Sequence, residues 1–344
     1  MSKKKTISMY TAGNRSRFNV VLLLATVLLV QHAWCEITLL DANYKVESFA
    51  EYQQTSSIGL ARHMTADGEG KVYVSHGNAG GLASSIMVAS QNNVSKLISG
   101  TNNFQGITWT GGTSYGDNLF IAETAANEIK KSNALGNVST FRNLAEQPLV
   151  VEVDRTGNYN NQLYAGTRYS TILYSISESG SLSEFVNLST LTDGSPLDMA
   201  FDTTGRYNGY MYLSLAEINN TNYQGVLSID PQGNVSQFYA GGYWGNHIAF
   251  DTTAESDFGG DLFIKQDTTI KRLTPDGDTI SYLTSDRLIQ DFAFDSNGTL
   301  YVMEVNSPSS SYNNTITISK ITAVPEPTSI VLLGFGILGL VRRK

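Results

Sequence analysis

The sequence is poor in cysteine, proline and charge: its 344 residues include one Cys, seven Pro and 16% charged residues. A single cysteine, Cys35, excludes an intrachain disulfide bond, so packing alone has to stabilise the fold. Lys and Arg number 23 against 31 Asp and Glu. Acidic residues are therefore in excess, whereas nucleic-acid binding requires a stripe of Lys and Arg. An acidic surface also repels anionic polymers, so we expect no nucleic-acid partner.

Sustained helical periodicity is also missing. No segment of the chain body repeats apolar residues with the 3.6-residue period of an amphipathic helix. Short alternating runs bounded by Gly, Asn and Asp recur instead, and this pattern is typical of strands joined by turns. The sequence therefore predicts an all-β fold for the body of the chain.

Residues 1–35 have the pattern of a secretory signal peptide. Three lysines near the N-terminus precede an apolar run over residues 20–30, and small or polar residues follow it. We expect a signal helix here and cleavage after Cys35, which would leave the mature protein without a thiol. Acylation of Cys35 is the alternative, but the bulky Trp34 stands where a small residue is expected.

The C-terminus combines three unlike features in a fixed order. They are the element Val324-Pro325-Glu326-Pro327, an apolar run over residues 329–341, and the basic end Arg342-Arg343-Lys344. The prolines keep the backbone extended, so the run begins as a separate helix. We predict a short transmembrane helix for this run. It is shorter than the roughly 20 residues that usually cross a bilayer, so the helix would lodge only marginally in the membrane. Its basic end would stay on the cytoplasmic side.

This order of features resembles the PEP-CTERM sorting signal of Gram-negative bacteria and assigns residues 323–344 to it. The resemblance implies an exosortase-type sorting protease as a partner and transient association with the membrane. It also implies export to the periplasm, the cell surface or the extracellular matrix, and a link to exopolysaccharide and biofilm. A plain membrane anchor is the alternative. The signal implies a destination and no activity.

Residues 36–322 contain an internal repeat of about 40 to 50 residues, the period of a β-propeller. The first element of each unit ends in an Asp that is followed by a Gly-containing turn and an aromatic strand. The copies end at Asp67, Asp154, Asp202, Asp251 and Asp295, with a degenerate copy at Ile107-Thr108-Trp109. These six copies predict a six-bladed β-propeller.

The sixth unit lacks a fourth strand, because its third strand over residues 316–321 runs into the C-terminal signal. The missing strand stands at the other end of the chain. Residues 46–49 fit the fourth-strand pattern and have no unit of their own. We therefore predict that this N-terminal strand completes the sixth blade and closes the ring, which removes an open sheet edge.

The repeated element, Ala-Phe-Asp-x-x-Gly-x-Leu-Tyr-Val in its fullest form, resembles that of NHL-repeat and gluconolactonase-like propellers over residues 44–321. In gluconolactonase-like enzymes a Glu, an Asn and an Asp hold a metal ion in the channel region. The resemblance thus implies a metal-dependent lactonase as an alternative function. Asp198 and Asp291 match such an acid, but neither stands in that family's Pro-Asn-Gly or Pro-Asp-Gly context.

The innermost strands of a propeller line its channel, so one repeat position can bring distant residues together. Four residues before the repeated Asp the chain has His63, Asp198, His247 and Asp291, while Gly106 and Val150 fill the other two units. Two imidazoles and two carboxylates facing one axis suit a divalent metal, Ca²⁺ or Zn²⁺, or acid–base chemistry. Polar lining satisfied by water is the structural alternative.

Three functions are therefore open, and we favour binding over catalysis. The first is an exported cell-surface or matrix protein that binds exopolysaccharide or surface proteins. The second is a metal-dependent, lactonase-like hydrolase with its site in the channel, and the third is a purely structural surface protein. Aromatic residues of predicted loops are candidates either for stacking on sugars or for packing; they are Tyr115, Tyr169, Tyr223, Tyr243 and Trp244.

Overall fold

A computed structural model describes residues 37–77, 83–100, 102–168, 170–189, 194–216, 225–241, 246–253, 259–306 and 314–324. Every helix or strand assigned within these ranges is a β-strand. They contain no helix that is long and apolar enough to cross a membrane. The predicted signal helix, the prolines of the sorting element and the predicted C-terminal helix lie outside the described residues and stay predictions.

The described strands form a six-bladed propeller. The N-terminal segment provides β1 (Ile37–Leu39) and β2 (Tyr44–Gln53). Blade 1 contains β3 (Leu60–Ala66), β4 (Val72–Gly77), β5 (Ser84–Ser90) and β6 (Asn93–Gly100). Blade 2 contains β7 (Phe104–Trp109), β8 (Asn118–Glu123), β9 (Glu128–Asn133) and β10 (Val138–Asn143). Blade 3 contains β11 (Pro148–Val153), β12 (Leu163–Thr167), β13 (Ile172–Ile176) and β14 (Leu182–Asn187).

The other three blades follow the same plan. Blade 4 contains β15 (Ser195–Phe201), β16 (Met211–Ala216), β17 (Gly225–Ile229) and β18 (Val235–Ala240). Blade 5 contains β19 (Ile248–Phe250), β20 (Leu262–Gln266), β21 (Thr269–Leu273) and β22 (Thr279–Ser285). Blade 6 contains β23 (Leu288–Phe294), β24 (Leu300–Val305) and β25 (Thr315–Ala323). The first strand of each blade contacts the first strands of both neighbouring blades, and β23 contacts β3 to close the ring.

The N-terminal strand closes the sixth blade, as the sequence predicts. Strand β2 pairs with β25 in antiparallel register from Tyr44 opposite Ala323 to Gln53 opposite Thr315. Phe49 takes the place of the fourth-strand aromatic residue, and its ring lies 4.9 Å from that of Tyr301. The sheet order β2-β25-β24-β23 therefore joins the two ends of the domain in one blade.

The same segment also enlarges blade 5, which the repeat pattern does not predict. Strand β1 pairs with β22, with Ile37 opposite Ser285, and gives blade 5 a fifth strand. A segment of three residues that lies outside the repeat is too short for its hydrophobic pattern to predict a strand. The N-terminal segment thus adds the outermost strand to two consecutive blades.

Apolar side chains fill six separate clusters, one between each pair of neighbouring blades. In each of three blades an aromatic residue of the second strand contacts the aromatic residue of the fourth strand and that of the next blade's first strand. Tyr164, for example, packs on Phe185 at 5.1 Å and on Phe201 at 5.6 Å between ring centroids. The repeated aromatic residues are therefore the core of the blade junctions.

The repeated Asp organises the turn after the first strand in five of the six blades. Asp202 shows the full pattern, because its two carboxylate oxygens accept backbone N–H groups from Thr204, Gly205, Tyr207 and Gly209. An acidic side chain that accepts several N–H bonds from one loop satisfies donors that would otherwise be buried unpaired. The conserved spacing of the repeat is thus explained by turn formation, and this Asp is no candidate for chemistry.

Candidate functional site

Two layers of side chains from the first strands line the channel. Four residues before the repeated Asp stand His63, Gly106, Val150, Asp198, His247 and Asp291, which we call the His/Asp layer. Two residues before it stand Thr65, Thr108, Glu152, Ala200, Ala249 and Ala293, which we call the Glu/Ala layer. Because side chains on a strand point to the same face every second residue, both layers face the same side.

A strand irregularity accompanies the His/Asp layer around the ring. In five blades the pairing register of the first strand shifts at this position, within the intervals 61–64, 104–107, 148–150, 196–198 and 289–291. In blade 5 strand β19 begins directly after His247. A β-bulge re-aims the side chain it carries and breaks the regular ladder, so the irregularity sets the orientation of the side chains in this layer.

The four polar residues of the His/Asp layer come together, although up to 228 positions separate them in the sequence. They belong to blades 4, 5, 6 and 1, which are consecutive in the ring. The rings of His63 and His247 meet edge to face with centroids 4.6 Å apart. His247 Nδ1 lies 3.2 Å from Asp291 Oδ1 and 3.4 Å from Asp198 Oδ2, yet it makes no well-aligned hydrogen bond among the described residues.

Both carboxylates of this layer also tie neighbouring blades together. Asp198 of blade 4 accepts the N–H of Ile248 in blade 5 at 2.9 Å. Asp291 of blade 6 accepts the N–H of Met64 in blade 1 at 2.6 Å. Each also accepts the N–H of the residue that follows it, Met199 and Phe292 respectively. The carboxylates therefore have a structural role in addition to any chemical one.

Burial controls the protonation of the His/Asp layer. Burial, and next the neighbouring His247, lower the pKa of His63 to about 3, and burial also holds the pKa of His247 well below its usual value. Burial raises the pKa of Asp198 to about 6. Burial, and next the charge of Asp198, raise the pKa of Asp291 well above its usual value. At neutral pH both imidazoles are therefore uncharged, so each can offer a nitrogen lone pair.

Lys265 is a member of this cluster that the sequence analysis misses. It lies on β20 and is only 5% exposed, and its charge lowers the pKa of both His247 and Asp291. Burial lowers the pKa of Lys265 itself, against the attraction of Asp291. The available signal is a lysine directly after the apolar run Leu262-Phe263-Ile264, at a strand position where the other blades carry small or apolar residues.

Glu152 of the Glu/Ala layer is the second residue that the sequence analysis misses. Its Oε1 accepts the Thr108 hydroxyl at 2.8 Å and the N–H of Val153 at 2.9 Å. Its Oε2 makes no hydrogen bond with any residue that the structure describes. Burial raises the pKa of Glu152 to about 7, against the opposing charge of Arg155. This carboxyl therefore changes its protonation near neutral pH.

Residues of the two layers line a cavity of about 770 Å³, within the range of about 300 to 1,000 Å³ that is usual for small-molecule sites. His63, Asp198 and Asp291 belong to its wall, while His247 does not. The turns that follow all six first strands also contribute to the wall, through Gly68, Gly111, Arg155, Thr203, Thr252 and Ser296. The cavity thus runs from the His/Asp layer past the Glu/Ala layer to these turns.

The loop aromatics and His76, the third histidine of residues 36–322, do not add to this site among the described residues. Tyr115 is 3% exposed and its hydroxyl donates to the Ile176 carbonyl in blade 3, so a sugar-stacking role for it is wrong. The other four loop aromatics lie outside the described residues. His76 is buried and shares a 3.0 Å hydrogen bond with the hydroxyl of Tyr52, which joins blade 1 to the N-terminal strand.

Comparison with protein families identifies one segment of the chain. The PEP-CTERM protein-sorting motif matches residues 323–344, so the resemblance noted for the C-terminus is confirmed. The chain carries a signal for export to the envelope or the exterior of a Gram-negative cell. No curated protein matches the chain in sequence.

Solved structures share the architecture of the propeller body. A gluconolactonase from Xanthomonas campestris is 12% identical with a TM-score of 0.58, over 80% of this chain and 89% of its own. Virginiamycin B lyase from Staphylococcus aureus is 15% identical with a TM-score of 0.53, over 82% and 100%. A chain of a nidogen/laminin complex is 12% identical with a TM-score of 0.51, over 70% and 92%. Likeness at this level of identity establishes the fold alone.

Proposed function

We propose that this chain is an exported propeller that is sorted to the cell surface, where it binds a small polar ligand in its channel cavity. A saccharide unit of the exopolysaccharide is the ligand class that we favour. The sorting motif supports the location, and the resemblance of that motif links the family to surface polysaccharide. The chain then acts as a binding protein among the polymers of the envelope or matrix.

The observation that carries the binding proposal is the convergence of polar groups on one concave cavity. His63, Asp198 and Asp291 meet at one level of its wall, and Glu152 lies at the next. Binding sites are concave, with a small number of placed polar groups that fix the orientation of the ligand. Hydroxyl-bearing residues Thr65 and Thr108 add groups that suit a polyol.

Retention on polysaccharide tests the binding proposal. Purified propeller, residues 36–322, is passed over a column that carries the producer's own exopolysaccharide, and free oligosaccharides from that polymer are then applied. We expect retention and competitive elution. Passage without delay, together with no heat of binding in titration with the oligosaccharides, would leave a purely structural surface protein as the function.

Processing of the tail tests the location. The substitution Glu326→Ala alters the Pro-Glu-Pro element, and Lys320→Ala on β25 serves as its control outside the element. We expect the unmodified chain and the control to reach the surface fraction with a reduced mass, since an exosortase-type protease removes the tail. The Glu326→Ala chain should keep its full mass. Equal masses for all three chains would exclude processing at this element.

A metal-dependent hydrolase of the lactonase type is a second candidate, favoured by the donor set of the His/Asp layer. His63, His247 and Asp291 offer two nitrogen atoms and one oxygen atom that all lie within 4.8 Å of one another. His247 Nδ1 is buried without a well-aligned partner among the described residues, so the residues fit a cation such as Zn²⁺. A cation held there would polarise a carbonyl or lower the pKa of a bound water.

Metal content decides whether the second candidate survives. We expect elemental analysis to find about one divalent ion per chain if the hydrolase is correct, with loss of that ion in His247→Ala. Loss of the ion should remove the turnover of sugar lactones measured by acid release. Protein without metal after dialysis against Zn²⁺ or Ca²⁺, and without lactone turnover, would exclude the hydrolase and leave the binding function intact.

A further inference from the structure

The wall of the channel cavity carries an excess of acidic groups. Seven Asp and Glu residues and two Lys and Arg residues belong to it; they are Asp67, Glu69, Asp117, Glu152, Asp198, Asp291 and Asp295 against Lys71 and Arg155. Two of the acids, Asp67 and Asp295, accept backbone N–H groups in their own turns. Glu69 pairs with Lys71, and burial raises the pKa values of Glu152, Asp198 and Asp291. A cationic ligand would favour the ionised form of these three carboxyl groups.

The basic groups of the wall are already engaged with the protein. Lys71 pairs with Glu69 at 3.4 Å on the exposed surface. Arg155 donates to the carbonyl oxygens of Gly111 and Trp109. Neither side chain is therefore positioned as a free anion-binding group, so the cavity wall offers an anionic ligand no unengaged Lys or Arg.

Glu152 provides the best placed acceptor for a cationic ligand. Thr108 and the N–H of Val153 both donate to Oε1, which fixes the orientation of the carboxyl group. Oε2 has no hydrogen-bond partner among the described residues, although the residue belongs to the cavity wall. Ala200, Ala249 and Ala293 occupy the same layer on the other side of the channel, and their small side chains leave room for a ring.

We propose that the cavity selects a ligand with a protonated amine, such as an amino sugar, and that Glu152 Oε2 is the acceptor of that amine. The inference rests on the proposed binding function and gives the ligand its chemical class. Thr65 and Thr108 serve the hydroxyl groups of the ring. A neutral sugar binds more weakly, and an acidic sugar is rejected.

Protonation of Glu152 gives the binding a measurable proton exchange. The pKa of Glu152 is raised to about 7, with Arg155 and Asp198 as the charges that act on it. An ammonium group favours the ionised carboxylate, so binding at pH 7 releases part of a proton to the buffer. Affinity for the amine then rises between pH 6 and pH 8, as long as the amine itself stays protonated.

Three sugars of equal size test the selectivity. Glucosamine, glucose and glucuronate are titrated into the propeller at pH 7, in two buffers that differ in heat of ionisation. We expect glucosamine to bind about tenfold more tightly than glucose, the gain of one charge-assisted hydrogen bond, and glucuronate to bind more weakly than glucose. Only the glucosamine titration should show proton release.

The substitution Glu152→Gln tests the residue and keeps the acceptor for Thr108 and Val153. We expect it to remove both the preference for glucosamine over glucose and the proton release, with unchanged far-ultraviolet circular dichroism. Glu184→Gln on the exposed face of β14 in the same blade is the matched control and should change neither.

The outcomes separate the two proposals. If none of the three sugars binds and the exopolysaccharide column does not retain the protein, the binding function itself fails. If glucose or glucuronate binds as tightly as glucosamine, the function stands and the charge selectivity fails. Persistence of the glucosamine preference in Glu152→Gln would remove Glu152 from the site.

Discussion

The two layers that line the channel are polar on opposite arcs of the ring. In the His/Asp layer the polar residues belong to blades 4, 5, 6 and 1, whereas blades 2 and 3 contribute Gly106 and Val150. In the Glu/Ala layer blades 1, 2 and 3 are polar, and the other three blades carry alanine. On five of the six strands a polar residue thus stands two positions from a small or apolar one.

This difference shows how one channel provides both polar groups and space. Backbone N–H groups from neighbouring blades satisfy the carboxylates of Asp198 and Asp291. The alanines two positions further along the same strands are small and leave space in the channel. On the opposite arc Gly106 approaches the backbone of blade 3 closely at the first level, and Glu152 stands at the second. Polar groups from two levels therefore face a single volume, which suits a ligand more than a bare ion.

The largest expected effect is the loss of a blade-bridging carboxylate. Asp291→Ala leaves the N–H groups of Met64 and Phe292 buried without their acceptor, so we expect a loss of about 2–3 kcal/mol in the free energy of unfolding. Asp291→Asn keeps an acceptor oxygen and should change it by less than about 1 kcal/mol. Urea denaturation at pH 7 measures both. Equal losses for Ala and Asn would contradict the bridging role.

A smaller loss of stability should distinguish Gly106, on the arc of blades 2 and 3, from Ala249, on the arc where the Glu/Ala layer carries alanine; we call the latter the open arc. A Cβ at Gly106 would lie 2.7 Å from the carbonyl oxygen of Leu149 and 2.8 Å from the Cα of Val150, so Gly106→Ala should cost about 1–3 kcal/mol by overpacking. Ala249→Ser adds one atom on the open arc and should cost less than about 0.5 kcal/mol. Thermal unfolding compares the two. Tolerance of Ala at Gly106 would mean that the blades separate easily there.

Two groups of the His/Asp layer, His63 and Asp198, should change the free energy of unfolding in opposite directions as the pH rises. With a folded pKa of about 3, His63 holds fewer protons than in the unfolded chain between about pH 3 and 6.5, so its contribution to stability rises with pH. With a folded pKa of about 6, Asp198 holds more protons than in the unfolded chain between about pH 4 and 6. Its contribution therefore falls with pH.

Each variant removes one of these opposing contributions. As the pH rises from 4 to 6, Asp198→Asn should gain stability relative to the unmodified protein, and His63→Gln should lose it, each by about 1 kcal/mol per pH unit. Urea denaturation at half-unit intervals gives the slopes. Parallel curves for the two variants would show that these groups are not buried as described.

The last pH effect concerns the Glu/Ala layer. The folded pKa of Glu152, about 7, lies above its ordinary value, so this carboxyl contributes stability at pH 5 that is lost by pH 8. Glu152→Gln cannot ionise and should gain about 1 kcal/mol per pH unit between pH 5 and pH 7 relative to the unmodified protein, and little more by pH 8. Glu184→Gln should show no such gain. A gain of equal size in both variants would place the titration elsewhere.

The repeat made the propeller and the meeting of the histidines predictable from the sequence. One aligned Asp per unit located the first strands, and the position four residues before it brought His63 and His247 to one level. The closing strand was predictable because residues 46–49, which end in Phe49, fit the fourth-strand pattern. These inferences succeed because a period in the sequence becomes a rotation about one axis.

The residues that were missed lie where the repeat carries less information. Glu152 stands two positions from Val150 in the copy of the repeat that ends at Asp154, and three of the six units carry alanine at its position. Lys265 comes from a second strand and reaches the cluster only through the packing of β20 on β19. Strand β1 pairs across almost 250 positions, between Ile37 and Ser285, and no local pattern predicts such a partner.

Filling the cavity tests the central claim, that the channel is the binding site, most directly. Ala249→Trp places a large side chain in the open arc, and Ala293→Leu is a milder version should the first variant fold poorly by circular dichroism. Equilibrium dialysis with radiolabelled glucosamine then compares the variants with the unmodified protein. We predict that a folded, filled variant loses at least 90% of the bound sugar, an effect of more than about tenfold in affinity. Undiminished binding by such a variant would contradict the claim, because the ligand would then sit outside the channel.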